Sequence, residues 1–332
     1  MEDRKKDHID LAFESQTLLA DIDTRFYYEP MLSAHPVNGI PETSFAGKTL
    51  RLPLWVSSMT GGTKMAGHIN RNLARACREF GMGMGLGSCR IIMKDETFLP
   101  DFDMRDLIGD DLPLFANLGI NQLELLVRDK QLDELEVLVN KLRADGLIIH
   151  VNPFQEWFQP EGDRLEKTAV ESLQALMETA SYPVVVKEVG QGMGYNSLKA
   201  LLSMPLAAIE FGAFGGTNFS KVELLRGDNA AQDLFEPLSR IGHDALQMVN
   251  MVNHIAANEP DRVQCRQLII SGGIRTFLDG YYLVSKSSLP AIYGQASGFL
   301  KYAREDYGQL KAFLELQVKG LQLAYAFLKI RY

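Results

Sequence analysis

Eight short apolar runs constrain this chain more than any other feature: residues 54–58, 82–86, 114–118, 146–151, 184–188, 207–211, 268–271 and 291–294. Strands buried on both faces read as continuous apolar stretches, and such strands alternating with helices build a parallel sheet. Segments with apolar residues at helical spacing separate the runs, most clearly at 66–80, 124–143 and 168–179. The count and order predict an α/β fold of the (β/α)8 TIM-barrel type. A last helix is expected over 310–328, where Leu314, Val318, Leu321, Tyr325 and Leu328 fall on one face. The connections at 87–112 and 212–266 exceed what a bare helix needs and are expected to be long loops after the second and sixth strands. Residues 1–50 read as an N-terminal extension carrying a short helix at 9–20, expected to contribute to the active site only if its first cations fold over the barrel mouth, and 51–332 as the barrel.

Where the runs stop, small and polar residues begin. The ends are Ser57-Ser58-Met59-Thr60-Gly61-Gly62, Gly85-Leu86-Gly87-Ser88-Cys89-Arg90, Asn117-Leu118-Gly119, His150-Val151-Asn152, Lys187-Glu188, Gly215-Gly216-Thr217-Asn218 and Ser271-Gly272-Gly273-Ile274. One such end is ordinary turn chemistry. Seven in register describe a polar ring at one face of a barrel, the face on which parallel barrels place their ligands. In the fourth run, alternation puts His150 and Asn152 on one side, Pro153 ends the strand, and Gln155 and Glu156 follow directly. After the seventh and eighth strands, Gly272-Gly273 and Gly294-Gln295-Ala296 stand where free backbone N–H groups commonly cradle a phosphate; each alone is more often a tight turn, and their place in the strand order favours the cradle. Gly215-Gly216-Thr217 adds a hydroxyl donor.

The charged candidates each carry two readings. Lys187 closes an otherwise apolar strand, so it is either a cation beside a delocalised anion or half of an ion pair with Glu188 or Glu210. Glu156 is by itself a solvated loop carboxylate; beside a diphosphate it would be a good Mg2+ ligand, since Mg2+ is held by one or two carboxylates together with phosphate oxygens. Arg4, Lys5 and His8 are a solvated tail, or they fold over the mouth of their own or a neighbouring subunit and bind diphosphate. Arg90 is a second anion-binding candidate. A net charge of −8 with no basic block beyond residue 6 argues against nucleic acid as a partner and requires any anion to be held by a local site. Cys77, Cys89 and Cys265 have no paired spacing and read as free thiols of a reducing compartment. No apolar leader follows the charged first residues and no run approaches a membrane span, so a cytoplasmic protein is expected.

In order along the chain, the motifs are Arg4-Lys5-x-x-His8, Met59-Thr60-Gly61-Gly62, Gly87-Ser88-x-Arg90, Asn117-Leu118-Gly119 and His150-x-Asn152-Pro153-x-Gln155-Glu156. Then come Lys187-Glu188-Val189-Gly190, Gly215-Gly216-Thr217 and Ser271-Gly272-Gly273-Ile274. Together they resemble the type 2 isopentenyl-diphosphate isomerases. The resemblance implies a barrel that binds FMN, keeps it reduced with NAD(P)H or another donor, requires Mg2+, and interconverts isopentenyl and dimethylallyl diphosphate without net redox change. It implies flavin contacts from Ser58, Met59, Thr60, Ser88, Asn117 and Lys187, and a phosphate cradle from Thr217, Gly272, Gly273, Gly294, Gln295 and Ala296. Substrate would meet Arg4, Lys5, His8, Arg90, Asn152 and Gln155, with Glu156 on the metal and His150, Gln155 and Lys187 as the catalytic set. Members of this family are usually tetramers or octamers, so a homo-oligomer is expected.

Departures are Cys89 inside Gly87-Ser88-x-Arg90, Phe219 where several members carry tryptophan, and the turn 293–300 in place of the usual small-residue turn. Two other functions share the scaffold: an FMN-dependent 2-hydroxy-acid oxidoreductase, and a flavin-binding protein whose catalysis has lapsed. The oxidoreductase needs a histidine base beside a carboxylate-gripping arginine near the last two strands, and residues 272–300 contain Arg275 but no histidine.

Overall fold

The structure, a computed structural model, describes residues 2–37, 39–58, 62–227 and 229–331. Eight parallel strands close into a barrel: β1 (Leu54–Val56), β2 (Gly83–Gly85), β3 (Leu114–Gly119), β4 (Gly146–Val151), β5 (Val184–Glu188), β6 (Ala208–Glu210), β7 (Leu268–Ser271) and β8 (Ala291–Gln295). Each coincides with one of the expected runs to within two residues at either end. Closure pairs β8 with β1, Gly294 opposite Trp55 and Gln295 opposite Val56. It is sealed by Tyr293 N–H donating to Pro53 O at 2.9 Å and Ser57 N–H to Gln295 O at 3.0 Å.

Aromatic rings fill the N-terminal end of the barrel. Trp55 is fully buried and its ring lies 5.8 Å from Phe115, edge to face, and 5.3 Å from Phe45. Phe45 belongs to a hairpin, Thr43–Phe45 with Lys48–Leu50, that plugs this end. Glycine at position 83 makes room for the indole: a Cβ there would sit 2.4 Å from Trp55 Cζ3. Gly83 is therefore a packing requirement, although glycine weakens a strand in isolation.

The helices form the outer layer. Lys64–Phe80 starts at Thr63, whose Oγ1 accepts from Ala66 N–H at 3.1 Å, and ends at left-handed Gly81. The single helix expected over 124–143 is two, Ile120–Asp129 and Asp133–Lys141, broken where Lys130 turns left-handed at φ 56°. At the N-terminus the helix is Glu2–Asp10 rather than 9–20; the stretch beyond it forms turns and a 3-10 helix at Leu19–Asp21, its apolar side chains exposed. The last helix, Tyr307–Phe327, leads into Leu328–Ile330, which pairs antiparallel with Phe26–Tyr28 and ties the two termini together. The long connection after β6 carries Phe219–Arg226, Asn229–Ser239 and Ala245–Asn258, and the one after β2 carries three short helical segments. Among the described residues no helix is long and apolar enough to cross a membrane. All three cysteines are free and buried, and burial raises their thiol pKa values, to about 12 for Cys89 and Cys265.

Removing the indole should leave a cavity that the rigid barrel wall cannot close. Trp55→Ala is expected to lower the unfolding free energy by about 3–5 kcal/mol in urea titrations. Gly83→Ala should also destabilise the native protein, but by less in the Trp55→Ala background, a coupling that a double-mutant cycle will read.

Candidate active site

All eight strands point their C-terminal ends at one mouth, and the side chains there switch from aliphatic to polar. The deeper part of the mouth is a cleft of about 380 Å3. Its floor carries Ser57, Ser58, Lys187, Glu210, Ser271 and Gly294. Its rim is glycine backbone. Gly272 sits at φ 89°, with room for no Cβ, since one would lie 2.0 Å from Ala213 O. Gly215 and Gly216 stack on Gly273, where added Cβ atoms would approach its backbone to 3.2 and 3.1 Å. Among the described residues, the backbone N–H groups of Gly215, Gly216, Gly272 and Gly273 have no hydrogen-bond partner. Four unpaired donors around one opening make an anion cradle.

Lys187 is 6% exposed, and its Nζ donates to Glu188 O at 2.9 Å. It forms no ion pair among the described residues, so the structural alternative for this lysine is not realised. Glu188 instead accepts the N–H groups of Gly190, Gln191 and Gly192 on Oε2 at 2.6–2.8 Å and shapes that turn. Burial raises its pKa against the pull of those three bonds.

A shallower recess of about 130 Å3 shares Ser58, Lys187, Val189 and Phe219 with the cleft and adds Gly87, Ser88, Asn117, His150 and Gln155. Here the imidazole is held in one tautomer. Asn117 Nδ2 donates to Leu86 O at 3.0 Å, which turns Asn117 Oδ1 toward His150 Nδ1 at 2.8 Å. His150 thus carries its proton on Nδ1 and leaves Nε2 as an acceptor. Burial, reinforced by Lys187, pushes its pKa down to about 3, so the ring is neutral at physiological pH.

Beyond β4 the chain turns straight into a short helix, Pro153–Phe158, rather than a loop, and a hydrogen-bonded chain fixes it. Asn152 Nδ2 donates to Gln155 Oε1 at 3.0 Å and to Glu156 Oε1 at 3.1 Å. Gln155 Nε2 donates to Glu223 Oε1 at 3.3 Å, and Gln159 Nε2 to the same oxygen at 2.9 Å. Glu223 Oε2 meets Arg226 at 2.6 Å. On the other side Glu156 Oε2 accepts from Asp163 N–H at 3.0 Å, and Asp163 pairs with Arg90 at 3.1 Å. Each Glu156 oxygen has one partner and keeps a lone pair for a hard cation. Among the described residues no cluster of three His, Cys, Asp or Glu side chains forms a closed metal site.

A scan of protein-family models finds no match. Curated relatives are closer. An isopentenyl-diphosphate delta-isomerase of Rickettsia felis is 33% identical over 326 residues, 97% of this chain and 91% of that protein. One of Rickettsia rickettsii (strain Sheila Smith) is 33% identical over 331 residues, covering 97% and 92%. The chain belongs to the isopentenyl-diphosphate delta-isomerase family. It is accordingly an enzyme, and the relatives agree with the type 2 resemblance of the motifs. Solved structures share the fold. A mandelate oxidase variant with a monooxide FMN adduct matches with TM-score 0.57 at 14% identity over 93% of this chain and 88% of that one. A flavocytochrome b2 double mutant with pyruvate bound matches with TM-score 0.60 at 14% identity over 95% and 77%.

Of the residues that the family resemblance singles out, Ser58, Ser88, Asn117, His150, Gln155 and Lys187 converge on the recess. Thr217, Gly272, Gly273, Gly294 and Ala296 line the cleft. Gln295 needs correcting: its side-chain amide is committed to the wall, donating to Ile274 O and accepting from Gln317, and its carbonyl accepts the Ser57 N–H of the closing seam. Asn152 lies behind the wall, 2% exposed, its amide nitrogen committed to Gln155 and Glu156. Arg4, Lys5 and His8 are exposed, and no hydrogen bond or ion pair among the described residues brings them to the mouth of their own chain. Met59 and Thr60 lie outside the described residues. Glu223, 5% exposed, was missed; a lone glutamate in a long connection carries no local signal of its contact with Gln155.

The depressed His150 pKa has a measurable consequence. Between pH 6.5, the unfolded value, and about 3 the unfolded chain binds a proton that the folded one does not, so stability falls as pH drops through that window. From pH 7 to 4.5 the native protein should lose about 1–3 kcal/mol more unfolding free energy than His150→Gln. Parallel losses in both proteins would show that the folded ring is charged.

Proposed function

We propose that the protein interconverts isopentenyl diphosphate and dimethylallyl diphosphate by adding a proton at one end of the allylic unit and removing one from the other. The reaction uses reduced FMN and Mg2+ with no net redox change, and NAD(P)H is the reductant. The observation that carries this reading is the continuity of two differently built spaces. A glycine cradle with four unpaired N–H donors opens into a recess holding a cation with no carboxylate partner, a neutral imidazole and a pinned amide.

The residues suit FMN. The cradle supplies donors for its phosphate, and Lys187 supplies a buried positive charge for an anionic ring. Ser58, Ser88 and Asn117 stand in the same recess. Bound there, the reduced flavin would supply an electron-rich ring that stabilises a tertiary cation and can exchange a proton. Lys187 would offset the negative charge of such a ring from a buried position. His150 Nε2 accepts a hydrogen bond and, being neutral, does not compete with Lys187 for the anion. Gln155 does not ionise near neutral pH; fixed between Asn152 and Glu223, it orients the prenyl unit or relays a proton. Glu156 would offer Mg2+ one carboxylate, alongside diphosphate oxygens of the substrate and water. Arg90 adds charge on that side, and Arg4, Lys5 and His8 would have to reach a mouth across a subunit boundary. Exposed Phe13, Leu18, Leu19, Met31 and Leu32 in the extension favour such a homo-oligomer. The buried free thiols fit a cytoplasmic protein.

The shared fold with hydroxy-acid oxidases favours no second function, since residues 272–300 lack the histidine base such chemistry needs. Anaerobic protein supplied with FMN, NADPH and Mg2+ should convert isopentenyl diphosphate, and lose activity when Mg2+ is chelated. Absence of conversion under these conditions defeats the assignment. Gln155→Ala should lower kcat by about 100-fold or more while the purified protein stays yellow; a colourless variant would place Gln155 on the cofactor instead.

A further inference from the structure

Glu210 ends β6 and is fully buried in the floor of the deep cleft. Among the described residues, neither of its carboxylate oxygens has a hydrogen-bond partner. Its strand neighbours do not supply one: it stands opposite Lys187 on β5 and Ile269 on β7, and Lys187 Nζ turns to Glu188 O. A buried carboxylate without donors is strongly disfavoured, so its place in the fold calls for donors that arrive from outside. Two hydroxyls on the same floor share its condition, since Ser57 Oγ and Ser58 Oγ are also buried and unpartnered. The one other hydroxyl there, Ser271 Oγ, is taken by Gly212 N–H at 3.0 Å.

The chemistry of these oxygens selects the ligand group. A carboxylate only accepts, so it repels phosphate and matches a group rich in O–H donors. The floor lies in one cleft with both Lys187 and the glycine cradle, so the chain joining a ring to a phosphate must cross it. We propose that Glu210 is a positioning residue for the ribityl chain of the flavin, accepting hydrogen bonds from its hydroxyls, with Ser57 and Ser58 as auxiliary partners. This rests on the flavin reading above. It also explains why the cleft would discriminate among flavins by their side chain and not only by ring and phosphate.

The test titrates apoprotein with FMN, riboflavin and lumiflavin, which lacks the chain, and reads quenching of flavin fluorescence. Glu210→Leu should weaken FMN and riboflavin by a common factor of about 10 or more and leave lumiflavin unchanged. Glu210→Gln, which keeps one acceptor and the shape, should fall between. The thermal midpoint of the apoprotein should stay level or rise in both variants, because no native hydrogen bond is lost. Equal affinities for all three flavins in native and variant protein overturn the proposal. So does an equal loss for lumiflavin, which would make Glu210 a partner of the ring or of Lys187, and so does a lowered apoprotein midpoint, which would make it structural. If the native protein binds none of the three, the flavin reading itself fails, an outcome distinct from binding that ignores Glu210.

Discussion

Closure of the sheet between β8 and β1 is the contact on which the site depends. The bonds Tyr293 N–H to Pro53 O and Ser57 N–H to Gln295 O join segments more than two hundred residues apart. Without them Ser57 and Ser58 would lie at an open edge, and the turn at Gly294 would have no wall to face. An open parallel edge also leaves a row of unpaired amides, which the barrel abolishes. The aromatic stack of Phe45, Trp55 and Phe115 at the opposite end holds this closure from below. Rigidity at the plugged end permits a mouth made of glycine turns.

At that mouth the protein keeps polar groups apart from one another. Lys187 stays without a carboxylate partner, His150 stays neutral, and Glu210 stays without a donor. In a water-filled site such groups would be solvated and weak; at low dielectric each keeps its full demand for a partner. One cation, one neutral acceptor and one acidic floor, set around neighbouring spaces of a single mouth, are the groups on which the proposed flavin reading rests. Asn117 chooses the imidazole tautomer from within the recess, while Asn152, behind the wall, aims Gln155 and Glu156.

Much of the frame was legible because a buried parallel strand must be apolar on both faces and must stop where polar residues begin. All eight runs became strands, and the polar ends at Ser58, Asn117, His150, Lys187 and Gly272 met at one mouth. Failures came where local pattern is silent. The break at Lys130 has no glycine or proline to mark it; the lysine caps the helix in the left-handed region, its N–H donating to the carbonyls of Leu126 and Val127. The first helix formed over a charged stretch that carries no amphipathic face, while the apolar residues after it stayed exposed. Gln295 was expected in the cradle beside Gly294, which lines the cleft; strand alternation sends its side chain the other way, to Gln317.

What the sequence by itself determined was the list of strands, their polar ends and the residue types available for chemistry, since periodicity and turn chemistry are local properties of the chain. Only the tertiary structure decided which of these groups have partners. Asn117 reaches His150 across 33 positions, Gln155 reaches Glu223 across 68, and Lys187 and Glu210 face one cleft without pairing. Protonation, tautomer and unsatisfied hydrogen-bonding capacity follow from distance and burial, and neither is written in spacing along the chain.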